Sequence, residues 1–498
     1  MSKIQVSHLT FCYEGSYDNI FEDVSFTLDT DWKLGFIGRN GKGKTTFLNL
    51  LLGKYEYKGK ISASAELESF PFPVSEQERK KNTIDMIEAI FPDYELWMIC
   101  RELSLLQMDA DVLYRPYYTL SSGEQVKVML SVLFSRENRF LLMDEPTNHL
   151  DQESRDVIHE YLKKKKGFLL VSHDRELLND CVDHILVLNR ANIEVFQGNF
   201  DTWWENKRRQ DAYELSENEK LKKDIRRLKE AARQTRIWGD KVEATKIGAG
   251  SEKYEKCIDT RAFVGEKSRR MQQRRKNLER RQNAEIEKKS NLLKNLECPQ
   301  ELKLFPMTHQ KELLINLDQI CFGYGKKRIL DGFPMKILNG ERISLEGHNG
   351  CGKSTVLKII TEQLKPESGT LYKAGGLRIS YVPQDTSFLQ GFLSDYAKEC
   401  KIEESLFMTL LRKLDFERVQ FEKDMKDYSE GQKKKVLIAR SLCEQAHLYI
   451  WDEPLNYIDV FSRMQIEELI LKYQPTLLFV EHDKLFAGHI GAKHIVMD

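Results

Sequence analysis

GRNGKGKTT at residues 38–46 and GHNGCGKST at residues 347–355 decide the fold of this chain. Each follows a short apolar run, Leu34-Gly-Phe-Ile37 and Ile343-Ser-Leu-Glu346, and each opens a stretch that reads as helix. Both fit the pattern G-x-x-x-x-G-K-[ST]. In such a loop the glycines let backbone N–H groups wrap phosphates, the lysine reaches the outer phosphates, and the hydroxyl suits Mg²⁺. The N-terminus of the following helix adds positive potential. One match is compatible with an ordinary glycine turn; two, each after a strand, point to nucleotide. The candidate nucleotide-binding residues are Gly38, Asn40, Gly41, Gly43, Lys44, Thr45 and Thr46, and Gly347, Asn349, Gly350, Gly352, Lys353, Ser354 and Thr355.

Outward from these loops the chain repeats itself. Lys44 and Lys353 lie 309 residues apart, Ser121 and Ser429 308, Asp144 and Asp452 308, and His173 and His482 309. Four landmarks in one order, at offsets of 308 or 309, imply two homologous domains, residues 1–200 and 311–498, with a different segment, 201–310, between them. Each half alternates short apolar runs, glycine turns and amphipathic stretches, which predicts an α/β fold around an open, largely parallel sheet. Residues 139–143, 168–171, 448–451 and 477–480 read as buried strands.

Composition bounds the class. The 498 residues are 41% hydrophobic and 31% charged, enough for sizeable cores under a soluble surface. No apolar run approaches the ~18–20 residues that span a bilayer, and the N-terminal MSKIQV lacks the apolar stretch of a signal peptide. Nine cysteines, without a C-x-x-C pair, argue against a disulfide framework or zinc site and for a reducing, cytoplasmic setting. The formal net charge is zero, yet Lys220 to Lys294 carries 24 Lys and Arg against 11 Asp and Glu, a net of +13. A basic element therefore separates two more acidic ones.

Two further constellations carry chemistry. Asp144-Glu145-Pro and Asp452-Glu453-Pro end apolar runs. There the aspartate suits Mg²⁺, and the glutamate suits a base that orients and polarises an attacking water. His173 and His482 follow the next apolar runs at the same offset, which lifts them above ordinary structural histidines.

Here a resemblance becomes specific. LSSGEQ at 120–125 and YSEGQ at 428–432 resemble the signature of the ABC ATPases, usually LSGGQ, and sit just before the Asp-Glu strands. The resemblance covers both end domains. It makes His173 and His482 switch histidines, Asn148–Asp151 and Asn456–Asp459 D-loops, Tyr13 and Tyr324 adenine-stacking aromatics, and Gln384 the Q-loop glutamine that helps position Mg²⁺. It also implies that each signature closes on nucleotide held by the other cassette. One site then joins Lys44, Asp144, Glu145 and His173 to Ser429 and Gly431. The other joins Lys353, Asp452, Glu453 and His482 to Ser121 and Gly123. Cofactors are ATP and Mg²⁺, both sites hydrolyse, and the chain acts as a monomer with its cassettes paired internally. Two departures stand out: Phe70-Pro-Phe72 replaces the expected Q-loop of the first half, and Ser122 and Glu430 each replace a signature glycine. Unequal turnover of the two sites is expected.

The middle segment is charged, with apolar residues at three- and four-residue steps (Leu221, Ile225, Leu228, Ala232). It predicts an antiparallel helical hairpin with its tip near residues 239–262. Two α/β cassettes joined by a basic hairpin resemble the ABC-F family, soluble ATPases that act on ribosomes. That likeness implies a bacterial 70S ribosome as partner, with the hairpin in the E site against 23S rRNA and P-site tRNA. Trp238, Lys241, Lys246, Ile247, Tyr254, Phe263, Arg269 and Arg270 are the candidate contacts. Independently, a segment of net +13 attracts phosphate whatever its sequence. An apolar tip, only about 75 residues between Thr46 and the first signature, and an end at Asp498 resemble the Lsa-type antibiotic-resistance branch. That branch implies ribosome protection against lincosamides, streptogramin A and pleuromutilins. Two alternatives stay open: a housekeeping translation factor, and the ATPase subunit of a drug exporter.

Overall fold

The computed structural model describes residues 2–13, 19–136, 138–148, 150–189, 192–244, 302–325, 327–481 and 483–497, with 270, 273, 276–278, 280 and 281. The chain forms two units, Met1–Trp203 with Pro299–Asp498, and Trp204–Cys298. Both cassettes therefore belong to one unit.

The first cassette contains β1 (Lys3–Phe11), β2 (Phe21–Asp29), β3 (Lys33–Ile37), β4 (Lys58–Ala63), β5 (Glu66–Phe70), β6 (Arg139–Asp144), β7 (Phe168–Val171), β8 (His184–Asn189) and β9 (Asn192–Gln197). An antiparallel sheet runs β2-β1-β4, and a second sheet runs β5-β6-β7-β3-β8-β9. The latter is parallel up to its edge, where β9 pairs antiparallel with β8. The second cassette repeats this plan with β10 (Leu313–Tyr324), β11 (Lys327–Leu338), β12 (Arg342–Glu346), β13 (Ser368–Lys373), β14 (Ile379–Val382), β15 (Leu448–Asp452), β16 (Leu477–Val480) and β17 (Lys493–Val496). Its sheets run β11-β10-β13 and β14-β15-β16-β12-β17.

The predicted α/β architecture is thus present in both halves. β7 and β16 are buried along their whole length because both faces of a parallel sheet are covered, which is why they read as unbroken apolar runs. Each such side chain contributes roughly 1.5–3 kcal/mol of burial. Antiparallel β1 shows the alternating pattern of a sheet covered on one face. At the carboxyl ends of β3 and β12 the chain turns into the helices Lys44–Leu51 and Lys353–Ile360. β6 and β15 end at Asp144 and Asp452. Topology therefore places the loops and the acids at one end of each sheet.

The second unit is entered through the helix Phe200–Ala244, of 45 residues. At 1.5 Å per residue it is about 68 Å long. Ion pairs one turn apart, Lys207–Asp211 at 3.0 Å, Arg209–Glu205 at 3.3 Å and Arg226–Glu230 at 3.2 Å, lace its surface. The helix continues through Gly239 to Ala244, past the start of the tip expected near residues 239–262. A single glycine costs a helix only about 1 kcal/mol, too little to break it. Trp238 and Lys241 lie on this helix. Arg270 is helical and exposed. Lys246, Ile247, Tyr254, Phe263 and Arg269 lie outside the described residues. No described helix is long and apolar enough to cross a membrane.

Candidate functional site

Each phosphate loop is shaped by a glycine that nothing else can replace. Gly43 and Gly352 both have φ of 106°, and a Cβ there would stand 2.5 Å from Ile20 Cγ2 or 2.7 Å from Ile329 Cγ2. These residues cap their helices in the left-handed region, leaving the first turn's N–H groups without a side-chain cap. Lys44 Nζ folds onto its own loop, donating to Gly38 O at 2.7 Å and to Asn40 Oδ1 at 3.2 Å. Lys353 Nζ does the same with Gly347 O and His348 O at 2.5 and 3.0 Å. Burial holds the Lys44 pKa below its usual value despite nearby Asp459, Glu145 and Asp144.

In the first cassette Thr45 Oγ1 donates to Asp144 Oδ2 at 2.9 Å. Ser354 makes the same hydroxyl–carboxylate pair with Asp452. Burial raises the pKa of Asp144 and pushes that of Asp452 up to about 6, helped by neighbouring Glu453. Asp452 Oδ1 is buried without a hydrogen-bond partner. A buried carboxylate oxygen beside a hydroxyl and a phosphate loop fits a hard divalent cation such as Mg²⁺.

Glu145 and Glu453 follow the strand ends at positive φ, 50° and 46°, and Glu145 lines the cavity that holds the first phosphate loop. Burial, reinforced by Asp144, pushes the Glu145 pKa up to about 8. His173 approaches Glu145 on two fronts: Nε2 lies 3.3 Å from Oε1, and its backbone N–H donates to Oε2 at 3.4 Å. Burial and the Lys44 charge hold the His173 pKa well below the usual histidine value, so this imidazole is neutral at physiological pH. In the second cassette Glu453 Oε2 accepts from Gln384 Nε2 at 2.8 Å and from Asn456 Nδ2 at 2.6 Å. His482 lies outside the described residues.

The first half lacks the Gln384 contact, and sheet register shows why. Val382 pairs with Trp451 in β14–β15, and Phe70 pairs with Met143 in β5–β6. Trp451 and Met143 are equivalent by the 308-residue offset, so Phe72 occupies the place of Gln384. Its ring is buried against Phe91, edge to face at 5.1 Å.

The signature serines start helices. Ser121 and Ser429 cap Ser122–Phe134 and Glu430–Cys443, each with a reciprocal bond to the third helical residue, Glu124 or Gln432. A cavity of about 610 Å³ unites Tyr13, Gly41, Lys44, Thr45, Asp144, Glu145 and His173 with Ser429 and Gly431 of the other cassette. The residues expected at the first composite site therefore line one cavity. Tyr13 stands at its edge, its hydroxyl 2.8 Å from Thr46 Oγ1. A second cavity, about 260 Å³, joins Gly347, His348 and Lys353 to Asp151, Gln152 and Glu153. Ser121 and Gly123 do not line it; Gly123 packs against Ser154 and Leu150 of its own cassette. Tyr324 is exposed, edge-on to Phe322 at 5.0 Å.

Sequence reasoning named Asn40 only as a nucleotide-binding candidate and missed the contacts that join the cassettes. Asn40 Nδ2 donates to Tyr457 O at 2.6 Å. Arg39–Asp415 and Lys42–Glu417 form ion pairs, both at 2.6 Å. Arg175 makes a two-pronged, buried contact to Glu467. Lys484 meets Asp156 at 2.9 Å, in solvent.

Fold and site define an ATP-hydrolysing protein with two phosphate-loop cassettes. The family model described as ABC transporter matches residues 21–148 and again 330–456, just over half of the chain. The chain belongs to that family. It is 28% identical to the ATP-binding protein Uup of Buchnera aphidicola, over 99% of this chain and 80% of that one. It is 26% identical to the ribosome protection protein VmlR of Bacillus subtilis, over 95% of this chain and 83% of VmlR. A similar fold occurs in the archaeal ribosome recycling factor aABCE1, solved with ribosomal stalk protein aP1, at TM-score 0.61 and 19% identity, covering 98% and 87% of the two chains.

Proposed function

We propose that this chain is an ABC-F ATPase that binds the E site of the bacterial 70S ribosome when ATP closes its cassettes, and there protects the peptidyl-transferase centre from antibiotics. The observation that carries the reading is the composite cavity in which Ser429 and Gly431 face Lys44 and Glu145. Phosphate bound between them bridges the two cassettes, so occupancy becomes closure and hydrolysis becomes release. Glu145 and Glu453 orient the water whose oxygen attacks the terminal phosphorus as the bond to the bridging oxygen breaks, and each takes up the proton. Neutral His173 steadies Glu145. Thr45 with Asp144, and Ser354 with Asp452 and Gln384, would hold Mg²⁺, which supplies charge neutralisation on the outer phosphates.

The ribosome follows from the net +13 of residues 220–294, attractive to RNA phosphate, and from the relation to VmlR, itself a ribosome protection protein. The tip contacts are Trp238, Lys241, Lys246, Ile247, Tyr254, Phe263, Arg269 and Arg270, acting on P-site tRNA and 23S rRNA in the cytoplasm. Drug displacement then covers lincosamides, streptogramin A and pleuromutilins, as in the Lsa-type branch. The second reading is a housekeeping translation factor, with which the relation to Uup, an ATP-binding protein, is compatible.

The test is sedimentation with ribosomes, with and without ATP, followed by translation in extract containing lincomycin. Glu145→Gln with Glu453→Gln should hold the protein on ribosomes, and the wild type should restore drug-inhibited translation. Binding without rescue selects the housekeeping reading. ATP-dependent export that requires membranes, without ribosome binding, removes the proposal.

A further inference from the structure

The helix Glu430–Cys443 faces two ways. Its N-terminus, Ser429 and Gly431, lines the first composite cavity opposite Lys44. One turn apart on the same helix, Glu430 and Lys434 bond back to their own cassette, Glu430 while also lining that cavity. Lys434 is buried, and Nζ donates to Pro383 O at 3.0 Å and to Asp452 O at 3.2 Å. Glu430 accepts from Thr386 Oγ1 at 2.5 Å, and Thr386 is itself buried. Pro383 and Thr386 flank Gln384, which donates to Glu453. The segments that carry the acids and the glutamine of the second site are therefore strapped to the helix that serves the first. The carboxylates of Asp452, Glu481, Glu453 and Glu430 all surround the Lys434 charge.

Among the described residues, the first cassette has no such strap. By the 308-residue offset, Ser122 stands for Glu430 and Val126 for Lys434. By strand register, Val74 stands for Thr386 and Phe72 for Gln384. Every polar member of the strap is replaced by an apolar or shorter residue, so a movement of the first site's loop has no equivalent lever on Ser121.

We infer that Lys434, with Glu430 and Thr386, is a positioning residue that couples the sites in one direction: nucleotide in the second site sets the signature helix that completes the first. The inference rests on the reading that Ser429 and Gly431 act on nucleotide held by Lys44. ATP entering the second site draws Gln384 and Asp452 toward its phosphates; Lys434 and Thr386 carry that shift to the helix, and Ser429 follows. First-site hydrolysis then waits for the second site to fill, whereas second-site hydrolysis runs without the first.

The test uses the full chain with Glu453→Gln, so that only the first site turns over. Hydrolysis should rise sigmoidally with ATP, with a Hill coefficient above about 1. Lys434→Met, and separately Thr386→Val, should bring the coefficient down to about 1 and lower first-site turnover about tenfold, the scale of ordinary site–site coupling. Lys434→Arg should restore both. Thr386→Val removes one hydroxyl and serves if Lys434→Met folds poorly. Ser429→Ala separates the two ideas. If it leaves first-site turnover intact, the pairing of Ser429 with Lys44 is wrong. If it abolishes turnover while Lys434→Met and Thr386→Val leave the coefficient unchanged, the pairing stands and the coupling is wrong.

Discussion

Asn40 gives its side-chain amide to the backbone carbonyl of Tyr457 at 2.6 Å, tying the phosphate loop of one cassette to the D-loop of the other. On either side of it Arg39 and Lys42 pair with Asp415 and Glu417. The offset puts His348, Cys351, Gln107 and Asp109 at the matching places around the second loop, so that side has no lysine or arginine to pair. Partly exposed ion pairs contribute about 0.2–1 kcal/mol each. Arg39→Ala with Lys42→Ala should therefore weaken ATP affinity of the first site about two- to tenfold, and the loss should shrink as salt screens the wild type. Binding of a fluorescent ATP analogue across a salt series checks it; identical salt slopes for variant and wild type would count against the idea.

Arg175 and Glu467 are both nearly inaccessible, with side chains 6% and 8% exposed. Removing one partner strands a buried charge, a cost of about 3–5 kcal/mol. Arg175→Ala should lower the denaturation midpoint much more than Lys484→Ala, whose pair with Asp156 is half exposed. Urea unfolding of the two variants decides this, and equal midpoints would overturn it.

The contrast between these pairs and the phosphate loops explains what was legible in the sequence. The loops, the Asp-Glu strand ends and the signature caps are local patterns, and the repeat supplied a second copy of each. Asn40 and Tyr457 lie 417 residues apart and meet only because the cassettes face each other. Lys433, Lys434 and Lys435 are consecutive in the sequence, yet each goes elsewhere. Lys433 lies 3.4 Å from Glu430, Lys434 enters the core, and Lys435 is buried on Asp459 at 2.8 Å. Aligning the two halves residue by residue would have exposed Lys434, because Val126 occupies its place.

Restoring the missing glutamine should not restore function. Phe72→Gln puts a polar side chain where a ring packs on Phe91, and that contact is buried. The loss should be about 2–4 kcal/mol, with no gain in first-site turnover measured in the Glu453→Gln background. A variant that turns over faster at unchanged stability would show that the loop swings freely into the site.

The Asp452 pKa, pushed up to about 6 by burial and Glu453, sets a pH dependence. Because the folded value lies above the unfolded one, the free protein loses stability as pH rises from about 4 through about 6, where the folded carboxyl ionises. Mg²⁺ needs the ionised form, so its affinity should run the other way. With a non-hydrolysable ATP analogue, Mg²⁺ affinity at the second site should fall toward tenfold per unit below about pH 6. Isothermal titration between about pH 5 and pH 7 reads it; a flat profile would contradict the raised carboxyl.

The two signature glycines should respond unequally to the same methyl group. A Cβ on Gly431 would stand 2.5 Å from Tyr457 O and 3.4 Å from Asn40 Nδ2. The first neighbour is backbone, and the second is the side chain that bridges the cassettes, so neither yields without moving the interface. A Cβ on Gly123 meets Ser154 Oγ at 2.7 Å, the end of a side chain that can rotate away. Overpacking against fixed atoms costs about 1–3 kcal/mol. Gly431→Ala should therefore lower first-site turnover about tenfold or more, whereas Gly123→Ala should change second-site turnover by no more than about threefold. Single-site rates, read in the Glu453→Gln and Glu145→Gln backgrounds respectively, settle the comparison. Equal losses would mean that Gly123 closes on its partner cassette as tightly as Gly431 does.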